Sequence, residues 1–238
     1  MADGKKYLPY LFCLLVLLLL FVFYTSYSKK SKTLEPELAI KVLSFQDPPF
    51  SLKELNKIAA LGSIGLIAIA FIIGPLSRLL RNIFGKFLYF RKPVGLIGFS
   101  LRLLHGIYSV IVFYNLDINK MFIENDEWIA TVSAIAGFFV FFLMAITSNK
   151  LSVEKLGYKK WKTLQTFGYV GLGLVVIHFF IIETKPDTGF DVRPFGLLFF
   201  YIPIIAIILR MVLLLIKTKE KDKFEHHFEN SGNHNNGK

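Results

Sequence analysis

The chain has 238 residues, of which 54% are apolar and 25 are Phe, with a mean hydropathy of +0.53. Soluble domains are nearer 45–50% apolar with glycine counted, so a soluble globular reading is excluded, and an aromatic share of 16% excludes disorder over most of the length. The single cysteine, Cys13, rules out an internal disulfide framework and a multi-cysteine metal site, and a formal charge of +11 has to be explained.

Six apolar segments have the length needed to cross a hydrocarbon core of about 30 Å, which takes roughly 20 residues at 1.5 Å each. The first is Tyr7–Tyr24, preceded by Lys5 and Lys6. It reads as an uncleaved anchor comprising residues 1–27, because Thr25, Ser26, Tyr27 and Ser28 form no small-residue cleavage site and Phe12 is too large for a lipoprotein site before Cys13. Residues 28–57 are expected to be an external loop. Within it, Asp47-Pro48-Pro49 breaks any helix and Ser51-Leu52-Lys53-Glu54 forms a capping box, so the second helix should begin near Leu52, ahead of its apolar span Ile58–Leu76. The remaining spans are Val94–Tyr114, Trp128–Ile146, Leu164–Ile182 and Phe195–Ile216, giving an all-α polytopic bundle of six transmembrane helices over residues 58–216.

Charge orients the bundle. The loop Ser77–Pro93 carries Arg78, Arg81, Lys86, Arg91 and Lys92 with no acid, and Thr147–Thr163 carries five lysines against Glu154. Both should face the cytoplasm, while the acidic loops Asn115–Glu127 and Glu183–Pro194 face outward. Both termini are then cytoplasmic. The positive charge is thus an orientation signal in a lipid bilayer, and no nucleic-acid partner is needed to explain it. Residues 217–238 should form a flexible cytoplasmic tail in which His226, His227 and His234 are solvated.

Ionisable residues inside spans are costly and therefore informative. They are Arg102, His105, His178 and Arg210. Arg210 is close enough to the cytoplasmic end of the last span to snorkel. Arg102 precedes His105 by one turn, so the two share a helical face. His105 and His178 lie on helices that run in the same direction, about 14 Å and 6 Å from the outer ends of their spans. Two such imidazoles can supply both axial ligands of one b-type haem, or each can simply hydrogen-bond a neighbouring helix. Gly106, Gly168, Gly171 and Gly173 could admit a flat macrocycle or serve close helix packing.

Several motifs carry a resemblance: Gly74-Pro75-Leu76-Ser77-Arg78, Arg91-Lys92-Pro93-Val94-Gly95-Leu96-Ile97-Gly98-Phe99 before His105, Ala145-Ile146-Thr147-Ser148-Asn149, and Leu156-Gly157-Tyr158-Lys159-Lys160-Trp161-Lys162-Thr163-Leu164 followed by Gly168-Tyr169 and His178. In this order, from Ile58 to Ile182, the chain resembles the ferric reductase-like transmembrane superfamily, and within it the haem-binding membrane subunits of periplasmic methionine sulfoxide reductase systems. The resemblance implies that His105 and His178 ligate the iron of one haem b and that the protein lies in a bacterial-type inner membrane. It also implies transfer of electrons, from a quinol or a separate reductase, to an acceptor such as a periplasmic reductase.

The chain departs from the family pattern where a second, inner haem would bind. The position 13 residues before His178 is Gln165, and the matching region before His105 offers Arg91 and Lys92, so a single haem is expected. No flavin or nicotinamide domain is recognisable, which makes an electron-transfer subunit a better expectation than a complete enzyme. Arg102 can meet haem propionates that point inward, and Lys120, Lys185 and Arg193 those that point outward. A second haem reading makes the protein a ferric-chelate reductase. The competing class is a non-redox scaffold or assembly subunit that kept the fold, while a transporter would need more polar span residues.

Overall fold

The computed structural model describes residues 4–26, 52–185, 189–190 and 194–233. Its long helices are α1 (Gly4–Ser26), α2 (Leu52–Leu79), α3 (Arg91–Tyr108), α4 (Trp128–Ile146), α5 (Lys150–Glu183) and α6 (Pro194–Asn233). Six helical segments are long and apolar enough to cross a membrane, as the hydropathy pattern requires. Beyond α5 the described residues include one antiparallel pair of two-residue strands, Thr184–Lys185 and Gly189–Phe190.

The helix ends follow local chemistry. Among the described residues α2 runs from Leu52; Ser51, the first residue of the expected capping box, and most of the expected external loop lie outside them. Helix α3 begins three residues before the apolar span because Pro93 sits in its first turn, where a missing N–H costs nothing. It is preceded by a short helix, Arg81–Phe84, and a 3-10 turn, Gly85–Phe90, and it ends in a π turn, Ser109–Phe113. Helix α5 reaches well inward of its apolar span, starting at Lys150, where the Asn149 side chain accepts from the Ser152 N–H at 2.8 Å. Gly157, with φ +73°, interrupts it, a conformation that favours glycine.

Within the expected tail, the residues after Ile216 continue α6 as helix as far as Asn233. Extending a helix already nucleated in the bundle needs only one residue fixed per new hydrogen bond, and the Lys- and Glu-rich stretch has strong helix propensity. Residues 234–238, including His234, lie outside the described residues.

Helix α2 is the centre of the bundle. Of its most apolar window 72% is buried, against 28% or less for every other span. Helices α1, α3, α6 and, more lightly, α5 pack on it, while α4 packs mainly on α5, and α3–α4 and α5–α6 contacts complete the ring. Leu20 and Tyr24 of α1 join Ile64, Phe71 and Leu172 in one core cluster, and Cys13 joins Leu66, Phe90 and Val94 in another. Outward faces carry Leu14, Leu104, Phe139 and Phe167, the apolar surface that lipid covers.

Close approach depends on glycine at two points in particular. A methyl on Gly65 would strike the Phe199 ring of α6, and one on Gly168 would strike Phe71 of α2 and Met144 of α4. Gly65→Ala and Gly168→Ala should each lower stability by about 1–3 kcal/mol, the usual cost of overpacking a core. Gly173→Ala, which meets nothing within 4 Å, should leave the unfolding midpoint in detergent unchanged or raised.

Candidate functional site

Helix α3 brings Arg102 and His105 to its inward face. Arg102 is 7% exposed, and its Nη2 donates to the Ala134 carbonyl of α4 at 3.0 Å. It lines a cavity of about 10 Å³ together with Ser63, Phe141 and Leu172; Ser63 Oγ is buried there without a hydrogen-bond partner. That volume is the size of one water.

His105 Nδ1 donates to Asn56 Oδ1 at 3.0 Å, since a carboxamide oxygen can only accept. The Asn56 Nδ2 in turn donates to Ser109 Oγ at 3.3 Å, and Ser109 donates back to the His105 carbonyl at 2.8 Å. His178, on α5, donates from Nδ1 to the Ala130 carbonyl at 2.9 Å. Each imidazole therefore keeps its proton on Nδ1 and leaves Nε2 as a lone-pair donor, the hydrogen bonding that orients metal-ligating histidines.

Asn56 and Ala130 both lie in the first two turns of helices that enter the bundle from the same face, which sets the two histidines at a shared level. This reduces the unequal depths counted from span ends. Arg102 and His178 both act electrostatically on His105, and Arg102 acts on His178. The glycines divide by role: Gly168 and Gly171 lie against neighbouring side chains, whereas nothing lies within 4 Å of a methyl at Gly106 or Gly173.

Asn56 was not legible as a site residue. It falls in the expected external loop, between Lys53 and Lys57, yet it is 6% exposed inside α2 and begins a stripe continued by Ser63, Ala70 and Ser77 at seven-residue spacing. Tyr169 lies at the other end of the bundle, where its hydroxyl donates to the Phe71 carbonyl at 3.2 Å. Pro75 has no N–H to give that carbonyl, so the tyrosine replaces the missing helical bond. Arg210 does not simply snorkel: its guanidinium sits 5.6 Å from the Tyr169 ring centroid. Tyr108 packs edge-on against Phe113.

Lys120 is exposed in the short helix Ile118–Phe122, and Arg193 lies outside the described residues. This end of the bundle is acidic: burial, then Asp126 and Glu183, push the Glu127 carboxyl above its usual range. Among the described residues no group of three or more His, Cys, Asp or Glu could hold a bare metal ion.

Residues 59–176 match the family described as the ferric reductase like transmembrane component. The chain is 29% identical over 129 residues to the magnetosome protein MamZ of Magnetospirillum gryphiswaldense, covering 53% of this chain but 20% of that protein. It is 27% identical over 164 residues to the haem-binding subunit MsrQ of the protein-methionine-sulfoxide reductase of Agrobacterium fabrum, covering 67% of this chain and 72% of the relative.

Removing the Asn56 carboxamide strands a buried imidazole N–H. Asn56→Ala should cost about 1–3 kcal/mol in detergent unfolding, and Ser109→Ala less, because the Ser109 hydroxyl also bonds within its own helix.

Proposed function

The chain belongs to the ferric reductase-like transmembrane family, and on that premise we propose that it is a membrane electron-transfer subunit holding one b-type haem between His105 and His178. The observation that carries this reading is the pair of imidazoles on α3 and α5, each with Nδ1–H committed and Nε2 free. The name of the Agrobacterium relative, a haem-binding subunit, supports the same reading. The residues fit the group: two neutral nitrogen donors, a buried cation beside them, and open space at Gly106 and Gly173.

Bound there, a haem supplies one-electron chemistry, accepting and releasing an electron at its iron. The chain's own residues bind, orient and insulate. Asn56 and the Ala130 carbonyl fix ring orientation and tautomer and make each imidazole more basic. Arg102 keeps one nitrogen on the Ala134 carbonyl and has others with which to meet an inward propionate. The apolar clusters around α2 exclude water from the site.

A single haem is the economical count. Gln165 occupies the inner position and donates to the Met144 carbonyl at 3.4 Å, so no second imidazole pair forms there. With the basic loops cytoplasmic, the histidines sit toward the outer face, accessible to a quinol in the lipid or to a separate reductase as donor, and to a periplasmic reductase as acceptor. Both termini are then cytoplasmic in a bacterial inner membrane.

A dithionite-reduced minus oxidised spectrum of the purified chain should show b-type bands at about one haem per polypeptide. His105→Ala and His178→Ala should each abolish them while membrane insertion persists; full haem retention in both variants would sink the assignment. Asn56→Ala should keep the haem and raise its midpoint potential, because a less basic imidazole stabilises the oxidised iron less.

A further inference from the structure

At the end of the bundle away from the histidines lies a cavity of about 360 Å³, within the range of specific ligand sites. Its walls are apolar where they meet the core, at Phe71, Phe99, Phe141 and Met144. Its rim carries Arg91, Lys92, Lys150 and Lys162, with no acidic residue among the lining side chains. Lys92 and Lys150 are exposed, whereas Arg91 and Lys162 are partly buried.

The field at this cavity is positive beyond its rim. Arg78 and Arg210 both act electrostatically on Arg91 and on Lys162, and the Arg210 Nε is buried without a hydrogen-bond partner. Arg91 donates its Nε to the Ala70 carbonyl at 3.1 Å, which pins the guanidinium beside Gly74 and leaves its terminal nitrogens for another acceptor. Partly buried like charges with no acid among them repel and are costly to desolvate unless an anion joins them. A neutral quinone head would make no use of four rim cations. A phosphate would, and basic pockets between helices at the cytoplasmic surface are where lipid phosphates bind.

We propose that this cavity binds one anionic phospholipid, its phosphate held between Arg91 and Lys162 and its acyl chain running along the Phe99–Phe141–Met144 wall. Aromatic and thioether side chains suit a hydrocarbon chain, and the basic loops that flank the cavity set it at the leaflet where anionic lipid collects. The site does not depend on His105 and His178 holding a haem. It occupies the place beside Gln165 where the family pattern would put a second cofactor, and it puts cations there instead of imidazoles.

The full chain in mild detergent, titrated with phosphatidylglycerol or phosphatidylcholine and read by native mass spectrometry, tests this. One phosphatidylglycerol should bind per chain at least tenfold more tightly than phosphatidylcholine, and the Arg91→Gln, Lys162→Gln double variant should lose that preference. Lys86→Gln, in the same loop but outside the cavity lining, should keep it. Should the double variant not fold, Lys92→Gln with Lys150→Gln at the exposed rim should reduce the preference severalfold. Equal binding of the two lipids by the unaltered chain would overturn the proposal. So would displacement of phosphatidylglycerol by millimolar inorganic phosphate, which would make the ligand a free anion, or a second haem per chain.

Discussion

Everything in this bundle is arranged around the burial of α2. Lipid tails are as apolar as leucine, so water does not drive helices together within the membrane, and association depends on close packing and on internal polar contacts. Helix α2 supplies both. Gly62 and Gly65 let Leu17 of α1 and Phe199 of α6 approach its backbone, and Asn56, Ser63 and Ser77 carry polar groups along the same buried helix. The neighbours that hold the candidate site, α3 and α5, are positioned by their contacts with α2 and α4.

The second constraint is that a polar atom in hydrocarbon must find its partner inside the protein. The carbonyls of Ala130 and Ala134, one turn apart on α4, receive His178 and Arg102, so one helix backbone aligns two of the three buried ionisable groups. The third, His105, takes a side-chain acceptor from α2 instead. At the other end Pro75 frees a carbonyl and Tyr169 takes it. Backbone groups, ordinarily neutral to sequence, thus fix the orientation of Arg102, His178 and Tyr169.

Periodicity made six helices and the shared face of Arg102 and His105 legible, because each rests on local rules. What escaped was decided by tertiary context. Asn56 between two lysines has the composition of a loop, and only the bundle shows that its face is buried while Lys53 and Lys57 are exposed. The inward reach of α5 was hidden because its first turns are rich in lysine, which hydropathy counts against a span but helix propensity does not. The roles of the glycines were equally closed to sequence. Four lie near the histidines in the chain, and packing alone separates Gly168 and Gly171, which admit side chains, from Gly106 and Gly173, which face open space.

The two ends of the bundle also differ in how they treat charge, and the difference follows from the donor atoms. At the histidine end the proton of each imidazole is tied to an acceptor, which yields neutral nitrogen donors suited to a metal. At the other end guanidinium and ammonium groups have no lone pair to offer, so Arg91 and Lys162 can attract an anion but cannot ligate iron. On the proposed readings, Gln165 and these cations make that end a place for negative charge rather than for an electron carrier. On the proposed single-haem reading, an electron entering at the basic end would have to cross more than half the bilayer to reach the haem between His105 and His178. A donor that approaches within the lipid, near the level of His105 and His178, avoids that gap.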